Sequence, residues 1–343
     1  MYLSKDKSGI WYVYYRGEDG KTKRTSTRSK LKTDSLRFLL SFKTSKVVKP
    51  KVISFIDFKK EFLQFADVNY RKGTAKIFRL SLTMFEKIIG NLPLASITPL
   101  HWDKYKAERL KTITNGNPIS PVTINIDLRS LRSAFNTALR WKLIESNPFS
   151  KQPFCSVPEQ APVFFTRADF QKLIDTVKEG WLKEMIIFAT LTGMRRGEIL
   201  NLQWSDIDLS RKTITIQSNL NFKTKQGKRR TIPLNDTAVY ILQQKAIKTV
   251  TDYVFTLNGK PIFSDWLSHK FKFYVYECKF KEDRLHFHSL RHTFASWLVQ
   301  DGVSLYEVQK LLGHSNIAVT QVYSHLQPEQ LHNTVNKIQI PLN

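Results

Sequence analysis

The chain is poor in cysteine, in acidic residues and in long apolar runs. Among its 343 residues there are only two cysteines, Cys155 and Cys278, so neither a disulfide framework nor a zinc ribbon is expected. No stretch approaches the roughly 20 apolar residues that span a bilayer. The first residues, MYLSKDKSGIWYVYY, lack the apolar core of a signal peptide. We therefore expect an intracellular protein without a membrane partner.

Basic residues are abundant where acidic ones are scarce. The 54 lysines and arginines against 29 aspartates and glutamates give a formal net charge of +25 at pH 7. Such an excess indicates a polyanionic partner. Because the basic residues are spread along the whole chain, nucleic acid fits this partner better than a membrane surface does. The chain length suggests two or three domains, and we expect a multidomain protein, mainly α with small β-sheets.

Residues 1–48 predict a small, basic, β-rich module. The segment IWYVYY at 10–15 is rich in strand formers, GEDG at 17–20 is typical of a turn, and residues 21–27 would return as a second strand. A short helix at 36–42 would follow Thr33 or Asp34 as its cap. Candidate DNA contacts in this module are Lys21, Lys23 and Arg24. The alternative is an ordinary solvated hairpin face.

Residues 52–152 predict an all-helical bundle. Phenylalanines 55, 58, 62 and 65 recur at steps of three and four, which is typical of the buried face of a helix. Arg129 and Arg132 share a later helix. They would either contact DNA phosphates or form the solvent-exposed face of that helix. Prolines 153, 158 and 162 then predict a linker to a mixed α+β region at 163–343.

Two segments of that last region place polar groups at predicted corners. In TLTGMRRGEIL (190–200) a helix ends near Gly193 and the next begins, so that Arg195 can point into a cleft with Glu198 to hold it. The run KTKQGKRR (223–230) lies between two predicted strands and reads as a basic hairpin tip. Each feature is weak alone, since Arg–Glu pairs at helix starts and solvated basic turns are common.

The segment HFHSLRHTF (286–294) gathers three histidines around an arginine. His288 and His292 have a spacing that zinc sites often use, but Arg291 between them would repel a cation and no HExxH glutamate is present. His288 and Arg291 share a helix face and suit a phosphate better, because guanidinium binds phosphate oxygens in bidentate fashion. Further on, LLGHS (311–315) is followed by Tyr323.

Together these segments resemble the tyrosine recombinases, the phage integrase family. The resemblance rests on TGMRRGE, a hairpin lysine eight residues before Pro233, HSLRHT, LGHS and the tyrosine of VYSH, in matching order and spacing. It covers residues 163–330, while 53–148 resembles the family's helical core-binding domain and 1–48 its arm-type DNA-binding module. Met194 departs from the commoner leucine, from which we expect no consequence.

The resemblance implies a reaction that needs neither metal, cofactor nor ATP. Tyrosine attacks a DNA phosphodiester, a 3′-phosphotyrosyl link forms, and a 5′-hydroxyl later restores the backbone. The implied roles are Tyr323 as nucleophile, Arg195 and Arg291 as phosphate clamps, Lys225 as acid for the leaving 5′-oxygen, His288 as acceptor of the tyrosine proton, His314 as phosphate ligand, and Glu198 as support. Lys228, a rival acid, would add phosphate contacts with Arg229 and Arg230. His286 and His292 are left to packing or support.

The same resemblance implies double-stranded DNA as partner. We expect a monomer in solution, a C-shaped clamp around the duplex, a homo-tetramer on two duplexes with the tail Gln327–Asn343 packing on a neighbouring protomer, and a possible DNA-bending accessory protein. The location implied is the cytoplasm of a prokaryotic host, at the nucleoid when DNA is bound. The alternatives are a type IB topoisomerase, a catalytically silent DNA-binding protein and a metal nuclease. We further expect an accessible phenol at Tyr323 and two guanidinium groups converging on one anion pocket.

Overall fold

The computed structural model describes residues 1–17, 20–45, 53–114, 116–158, 160–218, 229–248 and 251–327. The chain divides into two compact units, Met1–Pro158 and Glu159–Asn343. Long helices and short antiparallel sheets confirm the predicted fold class. In the described part, no helix has the length and apolar character needed to cross a membrane. The predictions for the middle of the turn at 17–20, for residues 223–228 of the hairpin tip with Lys225 and Lys228, and for the tail from residue 328 onward lie outside the described residues.

A three-stranded antiparallel sheet opens the first unit. Its strands β1 (Tyr2–Lys5), β2 (Trp11–Arg16) and β3 (Thr22–Ser26) pair in that order and are followed by helix α1 (Lys32–Ser45). Both predicted strands are present, and β1, which has little strand signal of its own, pairs along the other edge of β2. Helix α1 starts before the predicted caps. Val13 in the central strand is fully buried.

A helical bundle completes the first unit, as predicted. Its elements are α2 (Phe55–Asn69), α3 (Lys72–Ile89), a 3₁₀ turn (Leu94–Ser96), α4 (Pro99–Leu110), β4 (Ile113–Thr114), β5 (Asn117–Pro118) and α5 (Pro121–Arg140). The phenylalanine stripe of α2 packs into the core, with Phe55, Phe58 and Phe62 fully buried. The predicted linker is partly structured here, because Trp102 Nε1 donates to the Pro153 carbonyl at 2.9 Å and Asn125 pairs with the Cys155 backbone.

The second unit surrounds a separate core with eight helices in its described residues. They are α6 (Arg167–Thr176), α7 (Gly180–Thr192), α8 (Arg196–Leu200), α9 (Asp236–Lys248), α10 (Ser264–Glu277), α11 (Ser289–Gln300), α12 (Leu305–Leu312) and α13 (Ala318–Gln321). Strands β6 (Ile207–Asp208), β7 (Thr213–Ile216) and β8 (Arg230–Pro233) form one antiparallel sheet, and β9 (Thr256–Leu257) pairs with β10 (Lys260–Pro261). The alternating sequence pattern predicts strands at 207–208, 213–216 and 230–234, and the structure has strands at all three places, the last one residue shorter than predicted.

Two left-handed glycines end the helices that flank the polar centre of this unit. Gly193 ends α7 with φ 60° and Gly313 ends α12 with φ 66°, a conformation that glycine adopts without the steric penalty of a β-carbon. A β-carbon on Gly193 would lie 2.4 Å from the Phe294 ring, and one on Gly313 would lie 2.5 Å from Arg230 Cδ. Both corners therefore require glycine for its backbone freedom and for its small size.

Candidate active site

A buried carboxylate joins two arginines from distant parts of the sequence. Glu198, on α8, is 3% exposed and accepts from Arg195 Nη1 at 3.0 Å and from the Arg195 backbone N–H at 2.9 Å. Arg230, at the start of β8, donates both Nη groups to the same carboxylate at 2.9 and 2.6 Å. Burial opposes ionisation, but Arg230 and Arg195 outweigh it and hold the pKa of Glu198 below its ordinary value. Glu198 therefore lies beside Arg195, where a supporting residue was predicted.

Arg291 ties together the two glycine corners. Its Nη1 donates to the Gly193 carbonyl at 2.7 Å, and its Nη2 donates to the Leu312 carbonyl at 2.7 Å. The side chain is buried, with 3% of the residue exposed. Burial, followed by the charge of Arg195, lowers the pKa of Arg291 to about 9. A positive group held at this cost by two helix ends is preorganised for an anion.

His314, directly after the Gly313 corner, is held by hydrogen bonds on both ring nitrogens. Arg291 Nη2 lies 3.0 Å from its Nε2, and its Nδ1 lies 3.0 Å from Thr320 Oγ1. Since a guanidinium only donates, Nε2 accepts and Nδ1 carries the proton. Burial, followed by the charge of Arg291, lowers the pKa of His314 to about 4. His314 is therefore neutral near pH 7 and contacts Arg291 directly.

An open cavity of about 500 Å³ adjoins this cluster. Its lining includes Arg195, Arg196, Ser268, His286 and His288. The cavity thus presents two guanidinium groups and two imidazoles on one surface. Although His288 is exposed as a whole, loss of hydration at its ring, followed by the charges of His292 and Arg291, lowers its pKa to about 3. Among the described residues that line it, there are cationic side chains and no carboxylate, so the charge of the cavity favours an anion.

Tyr323 is packed into a small apolar core formed by α11 and α12. Only 2% of the residue is exposed, and Val308 and Leu312 belong to the same buried cluster. Its hydroxyl lies 2.6 Å from His292 Nδ1. Burial raises the pKa of Tyr323 to about 12, although Arg291 acts in the opposite direction. The phenol is therefore protonated near neutral pH and bonded to an imidazole of its own chain.

The expectation of an accessible phenol is wrong for this structure. Burial of the aromatic ring among aliphatic side chains is more favourable than its exposure to water. The hydroxyl is hydrogen-bonded to His292, so burial of Tyr323 leaves no polar atom of its side chain without a partner. Tyr323 lies between α13 and the 3₁₀ turn Ser324–Leu326. The expected convergence of Arg195 and Arg291 on one anion pocket stays a prediction, although the charge of Arg195 lowers the pKa of Arg291.

The neighbour of the phenol also differs from the sequence assignment. His292, assigned to packing, contacts Tyr323, whereas the His288 ring packs edge-on against His292 with centroids 5.1 Å apart. Arg230, expected to contact DNA, is instead ion-paired to Glu198. Arg196 at the cavity was not singled out. Of these, only His292 carried a sequence signal, its place one residue after Arg291. The described residues contain no group of three or more acidic, histidine or cysteine side chains placed to hold a metal ion.

The remaining candidates for DNA contact are distributed over both units. Arg24 lies over the Tyr12 ring at 5.1 Å, and Arg129 lies over the Phe154 ring at 5.2 Å. Arg132 has a packing role, because it donates to the Phe149 carbonyl at 2.9 Å and stacks 4.3 Å from the centre of the same Phe154 ring. Lys21, Lys23 and Arg229 are exposed. DNA contact by each of these residues stays a prediction.

Comparisons with known proteins identify the family of this chain. The phage integrase family matches residues 164–330, and the phage integrase SAM-like domain matches residues 54–154. Tyrosine recombinase XerC of Bacillus subtilis is 30% identical over 301 residues, covering 82% of this chain and 95% of the relative. The integrase of Salmonella phage P22 is 30% identical over 226 residues, covering 62% of this chain and 56% of that protein.

Solved structures share the fold at low sequence identity. The Tn1549 transposon integrase in complex with a circular intermediate DNA has a TM-score of 0.67 at 20% identity, covering 83% of this chain and 99% of that one. A lambda integrase dimer bound to a COC′ core site has a TM-score of 0.67 at 16% identity, covering 99% of this chain and 97% of that one. The class is thus that of the tyrosine-type site-specific DNA recombinases. Within it, this chain belongs to the phage integrase family.

Proposed function

We propose that this recombinase cuts and rejoins DNA through a covalent 3′-phosphotyrosyl intermediate formed on Tyr323. The observation that carries the proposal is the meeting, within one unit, of Tyr323 with His292, and of Arg291 with His314, beside a cationic cavity. The phenol oxygen bonds to phosphorus, the bond to the 5′-oxygen breaks, and a 5′-hydroxyl later reverses the step. Bond energy is kept in the phosphotyrosine, so the cycle needs no nucleotide hydrolysis.

The charges of the site fit the transition state of this exchange. A five-coordinate phosphorus gathers negative charge on its non-bridging oxygens, and fixed cations that require no reorganisation stabilise it. Arg195 and Arg291 take this role, Glu198 and Arg230 keep Arg195 in position, and His314 orients Arg291. Lys225 is proposed as the acid that protonates the leaving 5′-oxygen. These roles rest on the family resemblance together with the contacts described above.

Double-stranded DNA is the proposed partner, with four protomers acting on two duplexes. Support comes from relatives whose structures are described as a lambda integrase dimer bound to a core site and a lambda integrase tetramer bound to a Holliday junction. The net charge of +25 provides attraction to any duplex. A free monomer, a DNA-bending accessory protein and a site of action at the prokaryotic nucleoid in the cytoplasm belong to the same proposal.

Covalent trapping tests the proposal directly. In a library of random-sequence duplexes with a nick on one strand, cleavage just 5′ of the nick releases a short fragment that carries the new 5′-hydroxyl, so the phosphotyrosine adduct accumulates. We expect adducts that survive denaturation, map to Tyr323 by peptide analysis and yield an enriched DNA sequence. Tyr323→Phe should form none while still binding DNA.

The matched control for this experiment is Tyr306→Phe. Tyr306 is an exposed tyrosine of the same unit, on α12, and its loss should leave adduct formation unchanged. Adducts that persist in Tyr323→Phe would refute the assignment of the nucleophile. The absence of adducts with the wild-type protein on every member of the library would refute the proposed reaction.

A further inference from the structure

His292 is the group in direct contact with the proposed nucleophile. Its Nδ1 lies 2.6 Å from the Tyr323 hydroxyl, within the range of a strong O–H···N hydrogen bond. The two rings are 6.0 Å apart between centroids, so they meet at their polar edges. His288, which the family resemblance makes the acceptor of the tyrosine proton, meets His292 edge-on instead. The two histidines therefore face different partners: His292 the phenol, His288 the anion cavity.

We propose that His292 is a further catalytic residue, the one that accepts the proton of Tyr323 when the phenol attacks DNA. This inference rests on the proposed function, because it assumes that Tyr323 is the nucleophile. It assigns the proton to the residue that already touches the reacting oxygen. His288 then becomes a positioning residue that supports the His292 ring and lines the cavity beside Arg195.

The protonation states fit the transfer. The phenol carries its proton, since burial raises its pKa to about 12. Burial, followed by the charges of His286 and Arg291, lowers the pKa of His292 to about 4, so the ring is neutral near pH 7. A neutral ring with its hydrogen on Nε2 presents a lone pair on Nδ1, which accepts from the hydroxyl. The contact is thus the starting geometry for general base catalysis.

Arrival of DNA changes the balance in favour of transfer. In the free protein, a proton on His292 would sit among Arg291, His286 and His288, which face it from α11 and the segment before it. A phosphodiester bound beside Arg291 brings a negative charge that offsets this repulsion and raises the proton affinity of the imidazole. The base therefore becomes competent when substrate is present, and the phenol stays protonated and unreactive until then.

The step balances in atoms and charge. The phenol proton moves to His292 Nδ1, the phenol oxygen forms the bond to phosphorus, the bond to the 5′-oxygen breaks, and that oxygen takes a proton from the acid assigned above to Lys225. His292 ends as imidazolium and the acid as its neutral form. In the rejoining step the incoming 5′-hydroxyl returns its proton to the acid, and His292 returns its proton to the phenol.

The contact itself is tested first, without DNA. Nitrogen-15 spectra of histidine-labelled protein separate a protonated ring nitrogen from one that accepts a hydrogen bond. We expect the His292 signals to show hydrogen on Nε2 and an accepting Nδ1, and the Nδ1 shift to change in Tyr323→Phe. His292 signals that are identical in both proteins would overturn the proposal, whether or not the protein recombines DNA.

The proton transfer is tested on a nicked duplex bearing the sequence recovered by covalent trapping. Three variants are compared with the wild type, namely His292→Ala, His292→Asn and the control His269→Ala, an exposed histidine on α10 that does not line the cavity. Asparagine keeps an oxygen near the Nδ1 position but cannot carry the proton. We expect adduct formation to slow at least about 100-fold in both His292 variants, the range found for general base removal, and not in the control.

Free imidazoles give the readout that a structural role would not produce. Added imidazole should restore His292→Ala, and across substituted imidazoles of equal size the rescued rate should rise with their pKa. A 5′-phosphorothiolate, whose sulfur leaves without an acid, should abolish the defect of Lys225→Ala and leave that of His292→Ala in place.

Three results would overturn the assignment. In the first, His292→Ala forms adducts as fast as the wild type or faster, so that His292 only holds the phenol closed. In the second, His292→Asn is fully active, so that a hydrogen bond suffices without proton transfer. In the third, every imidazole fails to restore a folded His292→Ala. Adducts formed by the wild type in the same experiment show that the proposed reaction stands while this inference fails.

Discussion

At the scale of single residues, Glu198 decides where the first arginine of the site lies. It is three residues from Arg195 and 32 from Arg230 in sequence, yet its two oxygens bond to both. With 3% of the residue exposed, this carboxylate is desolvated and depends on its partners to remain ionised. Removing one member of such a buried group leaves the others uncompensated, which costs far more than the loss of an exposed pair.

Glu198→Gln should therefore lower the free energy of unfolding by about 3–5 kcal/mol, measured by urea denaturation of the full chain. The amide keeps the shape but presents one oxygen and one N–H₂ group to two guanidiniums, so one contact becomes repulsive. Asp301→Asn is the matched control, because Asp301 forms an exposed ion pair with Arg167 at 2.9 Å and should change stability by about 0.5 kcal/mol or less. Equal effects of the two substitutions would contradict the role given to Glu198.

At the scale of elements, the site is built from helix ends. Helices α7 and α12 both stop at a left-handed glycine, and the carbonyl oxygens at these two ends, Gly193 O and Leu312 O, accept from one guanidinium, that of Arg291. Helix C-termini carry partial negative charge and leave carbonyls without intrahelical partners. Burial of Arg291 is tolerated because these carbonyls take up its donors.

Gly193→Ala should disrupt this arrangement. At φ 60° the new β-carbon would be strained and would lie 2.4 Å from Phe294, so the corner and its carbonyl must move away from Arg291. We expect the free energy of unfolding, measured by denaturant titration, to fall by roughly 1–3 kcal/mol. In the fraction that remains folded, covalent adducts should form more slowly in the trapping experiment.

Gly180→Ala supplies the matched comparison on the same helix. Nothing lies within 4 Å of a β-carbon at Gly180, whose φ is not positive, and alanine at this helix start should be neutral or stabilise by about 0.4–1 kcal/mol. If Gly193→Ala behaved like Gly180→Ala, the corner would not be what positions Arg291.

Sequence patterns predicted many of these elements because their signals are local. Gly193 ends α7, and β6, β7 and β8 lie where the alternating pattern predicts strands. Patterns did not predict β1, which is a strand because β2 offers it an edge. They also did not predict that residues 153–155 pack on the bundle, since the hydrogen bonds that fix them come from helices far away in sequence.

At the scale of the whole molecule, net charge determines the long-range attraction to DNA. A net charge of +25 implies that binding releases many counterions, so the logarithm of the association constant should fall linearly with the logarithm of the salt concentration. The slope of this line is proportional to the number of phosphates that the protein neutralises. Replacing an arginine that contacts DNA therefore changes the slope, whereas replacing one that only stabilises the fold does not.

Two arginines of α5 provide that separation. Arg129→Gln should weaken binding to a mixed-sequence duplex and reduce the salt slope by about one, measured by fluorescence anisotropy over a salt series. Arg132→Gln should leave the slope unchanged and lower the unfolding free energy, because Arg132 donates to the Phe149 carbonyl and stacks on Phe154. An unaltered slope in Arg129→Gln would remove it from the set of DNA contacts.

The sequence by itself determined the chemistry available to this protein. The identity and spacing of Arg195, His288, Arg291, His314 and Tyr323 indicated the family and its reaction, because phosphoryl transfer needs cations and a nucleophile, and the order of these residues resembles that of the family. Tertiary structure decided what each group touches. That Glu198 joins Arg230 to Arg195, that Arg291 bridges two helix ends, and that the Tyr323 phenol is buried against His292 all depend on contacts between residues distant in sequence. Such contacts follow from how helices pack, and no local pattern encodes them.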